Sequence, residues 1–175
     1  MARNGSLNLY LVRHAFAAHA DPSRWPDDSK RPVTADGARR FAAAARGLRR
    51  LVPDVDVVLS SGFARAWETA EILRDVTGWP EPRECAALEA GKPAESGLEA
   101  LRERDEASVA LVGHEPYLSR LASLLCAGGE DVMNLELKKG AVAFVVVDGE
   151  PSPGNGLLRW SVRPKILRAL DRGAG

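Results

Sequence analysis

The chain contains little cysteine and no excess of charge of either sign. Its 175 residues include two cysteines, Cys85 and Cys126, and 24 basic residues balance 24 acidic ones. Cysteines so far apart fit no metal-ligand spacing, so we expect two free thiols in a reducing compartment. A formal net charge of zero provides no overall field for nucleic acid or an anionic membrane. Any anion must therefore be bound by a local site.

Long apolar runs are also missing. No stretch approaches the roughly 18 apolar residues of a transmembrane helix. The start, MARNGSLNLYLV, lacks the long apolar region of a signal peptide. We therefore expect a cytoplasmic protein with no membrane partner. The length and the 45% hydrophobic content are ordinary for one globular domain, and we assign residues 1–175 to it.

Short apolar strands alternate with helical segments along the chain. Strands are predicted at 7–12, 55–59, 109–112, 141–147 and 157–162, with a weak one at 83–88. Helices are predicted at 35–52, behind a Thr34 N-cap, and at 64–76, 96–106, 116–127 and from 164 onward. This order predicts a three-layer α/β/α sandwich with a mostly parallel central sheet. A turn too short for a crossover joins the last two strands, so they form an antiparallel pair.

Charged side chains follow the ends of several predicted strands. Arg13 and His14 follow the first strand. His114 follows the strand at 109–112, and Glu89 follows the weak strand. A further cation, at position 65, lies in the first turn of a helix, where positive charge is unfavourable unless an anion is close. Ligands of open α/β sheets bind at the carboxyl ends of the strands, so we expect these side chains to meet there.

Five segments between residues 7 and 170 match the motifs of a known enzyme family. They are LVRHA at 11–15, RPVTADG at 31–37, SSGFARAWETA at 60–70, VGHEP at 112–116 and LRWSVRPK at 158–165. Together they resemble the histidine phosphatase superfamily, the phosphoglycerate mutase-like enzymes. The last segment resembles the small SixA-type branch, the phosphohistidine phosphatases. Ala15 departs from the Arg-His-Gly motif of the superfamily, and small members tolerate alanine there.

The resemblance implies a phosphatase that requires no metal or other cofactor. His14 would be the nucleophile, and Arg13, Arg65 and His114 would hold the phosphoryl oxygens. The residues agree with these roles, because a planar guanidinium fits phosphate and a neutral imidazole can attack phosphorus. The attack requires that the other ring nitrogen of His14 be held in place, which a backbone carbonyl can do. Three histidines without carboxylates at matching spacing make a poor metal site.

Two residue assignments stay open at the level of sequence. Glu89 is the first candidate for the acid that protonates a leaving alkoxide, and Glu115 is its competitor. Neither carboxyl is required if the leaving group is an imidazole that already carries a proton on its other nitrogen. Arg31 lines the substrate groove if this chain follows the SixA-type branch, and otherwise forms a salt bridge within its loop.

The spacing of the motifs indicates which class of substrate can reach the site. Larger members of the superfamily insert a helical lid between the residues that correspond to Arg65 and His114. That interval is filled here by predicted regular elements, so we expect an open groove that admits a phosphorylated side chain of another protein. The expected reaction is dephosphorylation of phosphohistidine on a protein. The alternatives are a phosphomonoesterase for a small metabolite or nucleotide, and a phosphate-binding regulatory module with little turnover. The oligomeric state is left open, with a monomer favoured, and no nucleic-acid partner is expected.

Overall fold

A computed structural model describes residues 5–173 and shows a six-stranded sheet with helices on both faces. The elements are β1 (Ser6–Arg13), α1 (Ala35–Leu51), β2 (Val57–Ser60), α2 (Ala64–Thr77), β3 (Arg83–Glu84), α3 (Ala94–Arg102), β4 (Ser108–Gly113), α4 (Tyr117–Ala127), β5 (Val142–Asp148), β6 (Gly156–Val162) and α5 (Pro164–Arg172). Single turns of 3-10 helix lie at Asp28–Lys30 and Ala86–Leu88. The predicted α/β/α sandwich is confirmed.

The strands lie in the order β3-β2-β4-β1-β5-β6. The first four are parallel, whereas β5 runs antiparallel to both β1 and β6. This arrangement confirms the mostly parallel sheet with an antiparallel C-terminal pair. In the pairing of β1 with β4, Arg13 lies opposite Gly113. The segments that leave these two strands therefore start side by side.

Two hydrophobic cores cover the two faces of the sheet. One lies under α3 and α4, and the other lies under α1, α2 and α5. Strand β1 contributes to both cores, since Leu9 and Leu11 point to the first and Tyr10 and Val12 to the second. A parallel strand covered on both faces requires a nearly continuous apolar sequence rather than an alternating one.

Helix α1 begins as the sequence predicts. The Thr34 hydroxyl accepts a hydrogen bond from the Gly37 N–H at 2.9 Å, which satisfies one free donor of the first turn. The backbone of Phe16 lies so close that a Cβ on Gly37 would be 2.2 Å from the Phe16 carbonyl oxygen. Glycine at this position therefore lets α1 pack directly against the segment that follows β1.

The strand predicted at 55–59 is Val57–Ser60, and three further predicted boundaries are wrong for local reasons that the structure shows. The weak strand predicted at 83–88 ends at Glu84, because the next residues turn into a 3-10 helix that buries Leu88. The helix predicted at 96–106 is Ala94–Arg102, since the distant Glu130 carboxylate accepts the Ala94 N–H and caps an earlier start. The helix predicted from Pro116 begins one residue later, because Pro116 itself has the non-helical backbone of a cap.

Cys85 and Cys126 are both free and half-buried. Burial raises the pKa of the Cys126 thiol, which favours the unreactive protonated form at neutral pH. Among residues 5–173, no helix combines the length and the apolar character needed to cross a membrane.

Candidate active site

The site lies at the carboxyl ends of the parallel strands, where both buried histidines meet. Strand β1 ends at Arg13 and leads into His14, and β4 leads into His114. The His14 N–H donates to the Gly113 carbonyl at 3.0 Å, so the pairing of the two strands continues for one further step. The centroids of the two imidazole rings are 5.3 Å apart. The structure thus brings together two of the predicted site residues.

One hydrogen bond fixes the tautomer of His14. Its Nδ1 lies 2.7 Å from the Ala15 carbonyl oxygen, which can only accept, so Nδ1 carries the proton and Nε2 carries the lone pair. The residue is 6% exposed, and its pKa is lowered to about 4, mainly by burial and also by the charges of Arg65 and Arg13, while the hydrogen bond to Ala15 opposes the shift. At neutral pH the imidazole is therefore uncharged and nucleophilic at Nε2.

His114 is also neutral in the free site. Its Nε2 lies 2.9 Å from the Ser61 hydroxyl oxygen, and its buried Nδ1 has no hydrogen-bond partner within the described residues. Burial lowers its pKa to about 3, and the neighbouring His14 and Arg65 add to the shift. The role as a charged third donor, which the family resemblance implies, thus requires a bound anion that restores the proton.

Arg13 is held by a backbone carbonyl rather than by an ion pair. Its Nη1 donates to the Leu137 carbonyl at 2.6 Å. The Leu137 N–H donates in turn to Glu115 at 2.8 Å, and the other carboxylate oxygen of Glu115 accepts the Ser119 N–H at 3.0 Å. Both oxygens of Glu115 thus anchor the backbone that orients Arg13. This positioning role weakens the case for Glu115 as the acid.

Arg65 lies against a carboxylate and an aromatic ring. Its side chain is 5% exposed, its Nη2 is 3.0 Å from a carboxylate oxygen of Asp28, and its Nη1 donates to the Asp28 carbonyl at 2.9 Å. The guanidinium carbon lies 5.2 Å from the centre of the Phe63 ring. The same ring packs against His114, with 5.2 Å between ring centroids. Phe63 therefore sets the spacing between two of the predicted phosphate ligands.

Arg31 forms a salt bridge within its loop, and that bridge reaches the site. Its Nε donates to Asp28 at 2.7 Å, and its Nη1 donates to the Ala18 carbonyl at 2.8 Å. The hydrogen bond from Arg31, followed by the charges of Arg65 and Arg31, lowers the pKa of the Asp28 carboxyl, so it is ionised at neutral pH. Asp28 thus joins the predicted groove residue to Arg65. Asp28 could not be selected from the sequence, since it lies in a loop with several other charged residues.

Glu89 lies beside the site without a contact to it. It directly follows the 3-10 turn at Ala86–Leu88 and is half-buried. Its carboxylate has no hydrogen bond or ion pair within the part of the chain that the structure describes. The preceding residue, Leu88, packs close to Gly113 at the end of β4. The backbone just before Glu89 is therefore close to the strand that leads into His114, and the Glu89 carboxylate has no structural partner in the described range.

Thr69 links two parts of the site that come from different elements. Its hydroxyl donates to the Arg65 carbonyl at 2.6 Å and accepts the Ala15 N–H at 2.9 Å. Helix α2, which carries Arg65, is thereby fixed against the turn that carries His14. The sequence places Thr69 in the family-like segment at 60–70, but spacing alone does not reveal the bond to Ala15.

Lys139 is a further cation that the sequence analysis missed. Its Nζ lies 4.3 Å from the centre of the Phe16 ring. Burial lowers its pKa, and the charges of Arg13, Arg31 and Arg65 act in the same direction. The sequence Lys138-Lys139-Gly140 just before β5 was the available signal.

The combined polar groups of the site are suited to an oxyanion. Nε of Arg13, Nε of Arg65 and Nδ1 of His114 are buried and have no hydrogen-bond partner within residues 5–173. A tetrahedral oxyanion offers acceptors to all three of these residues while its central atom faces His14. In the same range, no three His, Cys, Asp or Glu side chains are grouped as metal ligands.

Comparison with known proteins places this geometry in a family. Residues 9–90 match the model of the histidine phosphatase superfamily (branch 1). The chain is 34% identical, over 140 residues, to an uncharacterized protein of Picosynechococcus sp., with 78% of this chain and 82% of that protein covered. It is 29% identical, over 167 residues, to phosphohistidine phosphatase SixA of Escherichia coli (strain K12), with 93% and 97% covered.

A solved structure shares the whole fold. It is the protein histidine phosphatase SixA complexed with tungstate, which superposes with a TM-score of 0.76 at 28% identity. The match covers 92% of this chain and 99% of that chain. The six-stranded sheet with helices on both faces therefore belongs to one shared architecture.

Proposed function

Because the chain belongs to the histidine phosphatase superfamily and is a phosphatase, we propose that it dephosphorylates phosphohistidine on a protein. The reaction needs no metal ion and passes through a phosphohistidine on His14. The observation that carries this proposal is the state of His14. Its Nδ1 is held by the Ala15 carbonyl, and its neutral ring lies among buried guanidinium groups.

The reaction follows from the positions of the side chains. Arg13, Arg65 and a protonated His114 bind the phosphoryl oxygens and stabilise the negative charge of the transition state. Nε2 of His14 attacks phosphorus, and the substrate P–N bond breaks with its electron pair going to the leaving imidazole. That imidazole leaves as a neutral group if its other nitrogen already carries a proton. Water then attacks the phosphorus on His14, which releases phosphate and the neutral enzyme.

Three observations support a protein substrate and a metal-free site. The SixA relatives are named as phosphohistidine phosphatases, and one of them binds tungstate, a tetrahedral oxyanion. The chain between α2 and β4 contains β3, a 3-10 turn and the short α3, so we propose a single domain, 1–175, without a helical lid. The charged groups that act on His14 are Arg65, Arg13 and Lys139, cations that bind phosphate and do not ligate metals when protonated.

A comparison of substrates tests the proposal directly. Initial rates are measured on a phosphohistidine-bearing protein domain, on p-nitrophenyl phosphate and on a panel of small phosphate esters, each with and without EDTA. We expect the phosphohistidine domain to be turned over fastest and EDTA to change nothing. A clear preference for a small ester would support a phosphomonoesterase, and loss of activity in EDTA would show that a metal takes part.

The His14→Ala variant separates an enzyme from a binding module. We expect it to lose turnover of every substrate and to keep its folded state, measured by circular dichroism. Acid-labile phosphate on the wild-type protein after a rapid quench would identify the intermediate. Turnover that survives in His14→Ala would contradict the role of His14, and absence of turnover in the wild type would favour the phosphate-binding module.

The role of Glu89 depends on the leaving group. We propose that it protonates a leaving alkoxide and that a phosphoramidate does not need it. Glu89→Gln should therefore slow hydrolysis of an alkyl phosphate at least tenfold and leave that of phosphohistidine nearly unchanged. Glu115→Gln is the matched control, because that carboxylate anchors backbone and its loss should slow both substrates alike. Equal losses on both substrates in Glu89→Gln would contradict this role.

A further inference from the structure

A groove of about 370 Å³ opens beside the phosphate site, and the mechanism uses two of its residues, Arg13 and Ala15. Arg13 and Ala15 form its inner end, next to His14. Its floor is apolar and includes the buried ring of Phe41. The rest of its lining comes from Phe16, from α1, from the segment 136–140 and from α5. The groove thus borders the site, because Arg13 and Ala15 are the chain neighbours of His14.

Positive charge dominates the lining of this groove. Besides Arg13, the cations are Arg40, Lys138, Lys139 and Arg168, and the single carboxylate is Glu136. Lys138 pairs with Glu136, and Arg40 lies 2.8 Å from Asp36. Lys139 and Arg168 have no carboxylate partner among residues 5–173. In a chain whose net charge is zero, this local excess points to an anionic ligand.

An exposed aromatic ring lies in the same groove. Phe16 is 57% exposed, and Lys139 lies over its face. Gly140 has a φ of 77°, and a Cβ there would lie 3.2 Å from the Phe41 ring, so glycine brings the cationic segment close to the apolar floor. An exposed aromatic side chain beside cations without carboxylate partners is typical of a surface that contacts another protein.

We propose that this groove binds the acidic side chains that surround the phosphohistidine on its carrier protein. The inference deepens the proposed function and rests on it. The cations come from three separate segments, so an extended acidic surface can contact several of them at once, while a small anion can contact one or two. Phosphohistidine next to acidic residues would therefore be preferred over phosphohistidine in a neutral surrounding.

Changing charged residues on a peptide ligand and on the enzyme tests this inference. The probes are two fluorescent peptides of equal length, each with a stable phosphonate analogue of phosphohistidine, flanked by glutamates in one and by glutamines in the other. Binding is followed by fluorescence anisotropy at low ionic strength, where the contribution of surface charge is greatest. For the wild type we expect the glutamate peptide to bind about threefold to tenfold more tightly.

Variants at Arg168 assign that preference to the groove. Arg168→Glu should abolish it, and Arg168→Gln, which is less disruptive to α5, should reduce it. Arg50→Glu is the matched control, since Arg50 is exposed at the end of α1, outside the groove, and the preference should persist. Equal binding of both peptides to the wild type, no binding of the glutamate peptide, or an unchanged preference in Arg168→Glu would each overturn the inference. Hydrolysis of the phosphohistidine-bearing protein domain is measured separately, so failure of the proposed function is recognised independently.

Discussion

At the scale of single residues, the site is governed by the removal of charged groups from water. Burial lowers the pKa of His14 to about 4 and that of His114 to about 3, and it also lowers the pKa of Arg13 and of Arg65. Each of these groups is thereby less favourable in its charged form. A phosphate group reverses the balance, because its negative charge stabilises both guanidinium groups and a protonated His114.

The two histidines should make stability depend on pH. In an unfolded chain both titrate near 6.5, so between that pH and their folded values the unfolded state binds more protons. The contribution of the two neutral histidines to the free energy of unfolding is complete above about pH 6.5 and is lost as the pH falls toward 4. Thermal unfolding between pH 4.5 and 7.5 should therefore show a midpoint that falls with acid, and His114→Gln should make the fall shallower. A midpoint that rises on acidification, or identical slopes for the two proteins, would contradict this expectation.

Asp28 competes with phosphate for Arg65. Its carboxylate contacts Nη2 of Arg65, which would otherwise donate a hydrogen bond to a phosphoryl oxygen. The negative charge of Asp28 also repels the incoming anion. Asp28→Asn should therefore lower the inhibition constant for inorganic phosphate about threefold to tenfold, measured in a steady-state assay. Asp27→Asn is the control, because that carboxylate contacts Ser29 and Lys30 and should leave the constant unchanged. Weaker phosphate binding in Asp28→Asn would mean that the carboxylate mainly orients Arg65.

At the scale of elements, the features that could be predicted from the sequence are those that hydrophobic periodicity and helix caps determine. The apolar run of β1, the cap at Thr34 and the alternation of strands with helices were sufficient for the architecture. The predicted cations and histidines could be placed at one edge of the sheet because each follows a parallel strand. Contacts between elements could not be predicted, since the bonds of Thr69 to Ala15 and of Glu130 to α3 join residues that are distant in sequence.

The link between α2 and the His14 turn should affect activity more than stability. Thr69→Val removes the hydroxyl that joins the Arg65 carbonyl to the Ala15 N–H, so two hydrogen bonds are lost and we expect kcat to fall about tenfold as the His14 turn shifts relative to Arg65. Thr69→Ser should keep most of the activity. Thr77→Val is a closely matched control, because that buried hydroxyl also bonds the carbonyl four residues earlier and accepts a backbone N–H. A similar fall in kcat for Thr77→Val would show that the effect is one of general stability.

At the scale of the whole molecule, the two hydrophobic cores stabilise the fold, whereas the buried charged groups of the site lower its stability. The sheet is covered by apolar side chains on both faces, whereas its edge buries guanidinium nitrogens with no hydrogen-bond partner in the described range. Groups arranged for a ligand commonly reduce the stability of the free protein. Stability and activity should therefore respond in opposite directions when a buried site cation is replaced by an apolar side chain.

Arg65→Met is the variant that should show this opposition. It removes a buried cation and leaves Asp28, which is half-exposed, in contact with water, so the midpoint of thermal unfolding without oxyanions should equal or exceed that of the wild type. Activity should fall about tenfold to a few hundredfold because one phosphate ligand is lost. Phosphate at a hundred times its dissociation constant should stabilise the wild type by about 2.7 kcal/mol and the variant much less. Arg39→Met, on the exposed face of α1, should change neither quantity. A large fall in the thermal midpoint of Arg65→Met, measured without phosphate, would contradict this expectation. It would show that Arg65 stabilises the fold even when no ligand is bound.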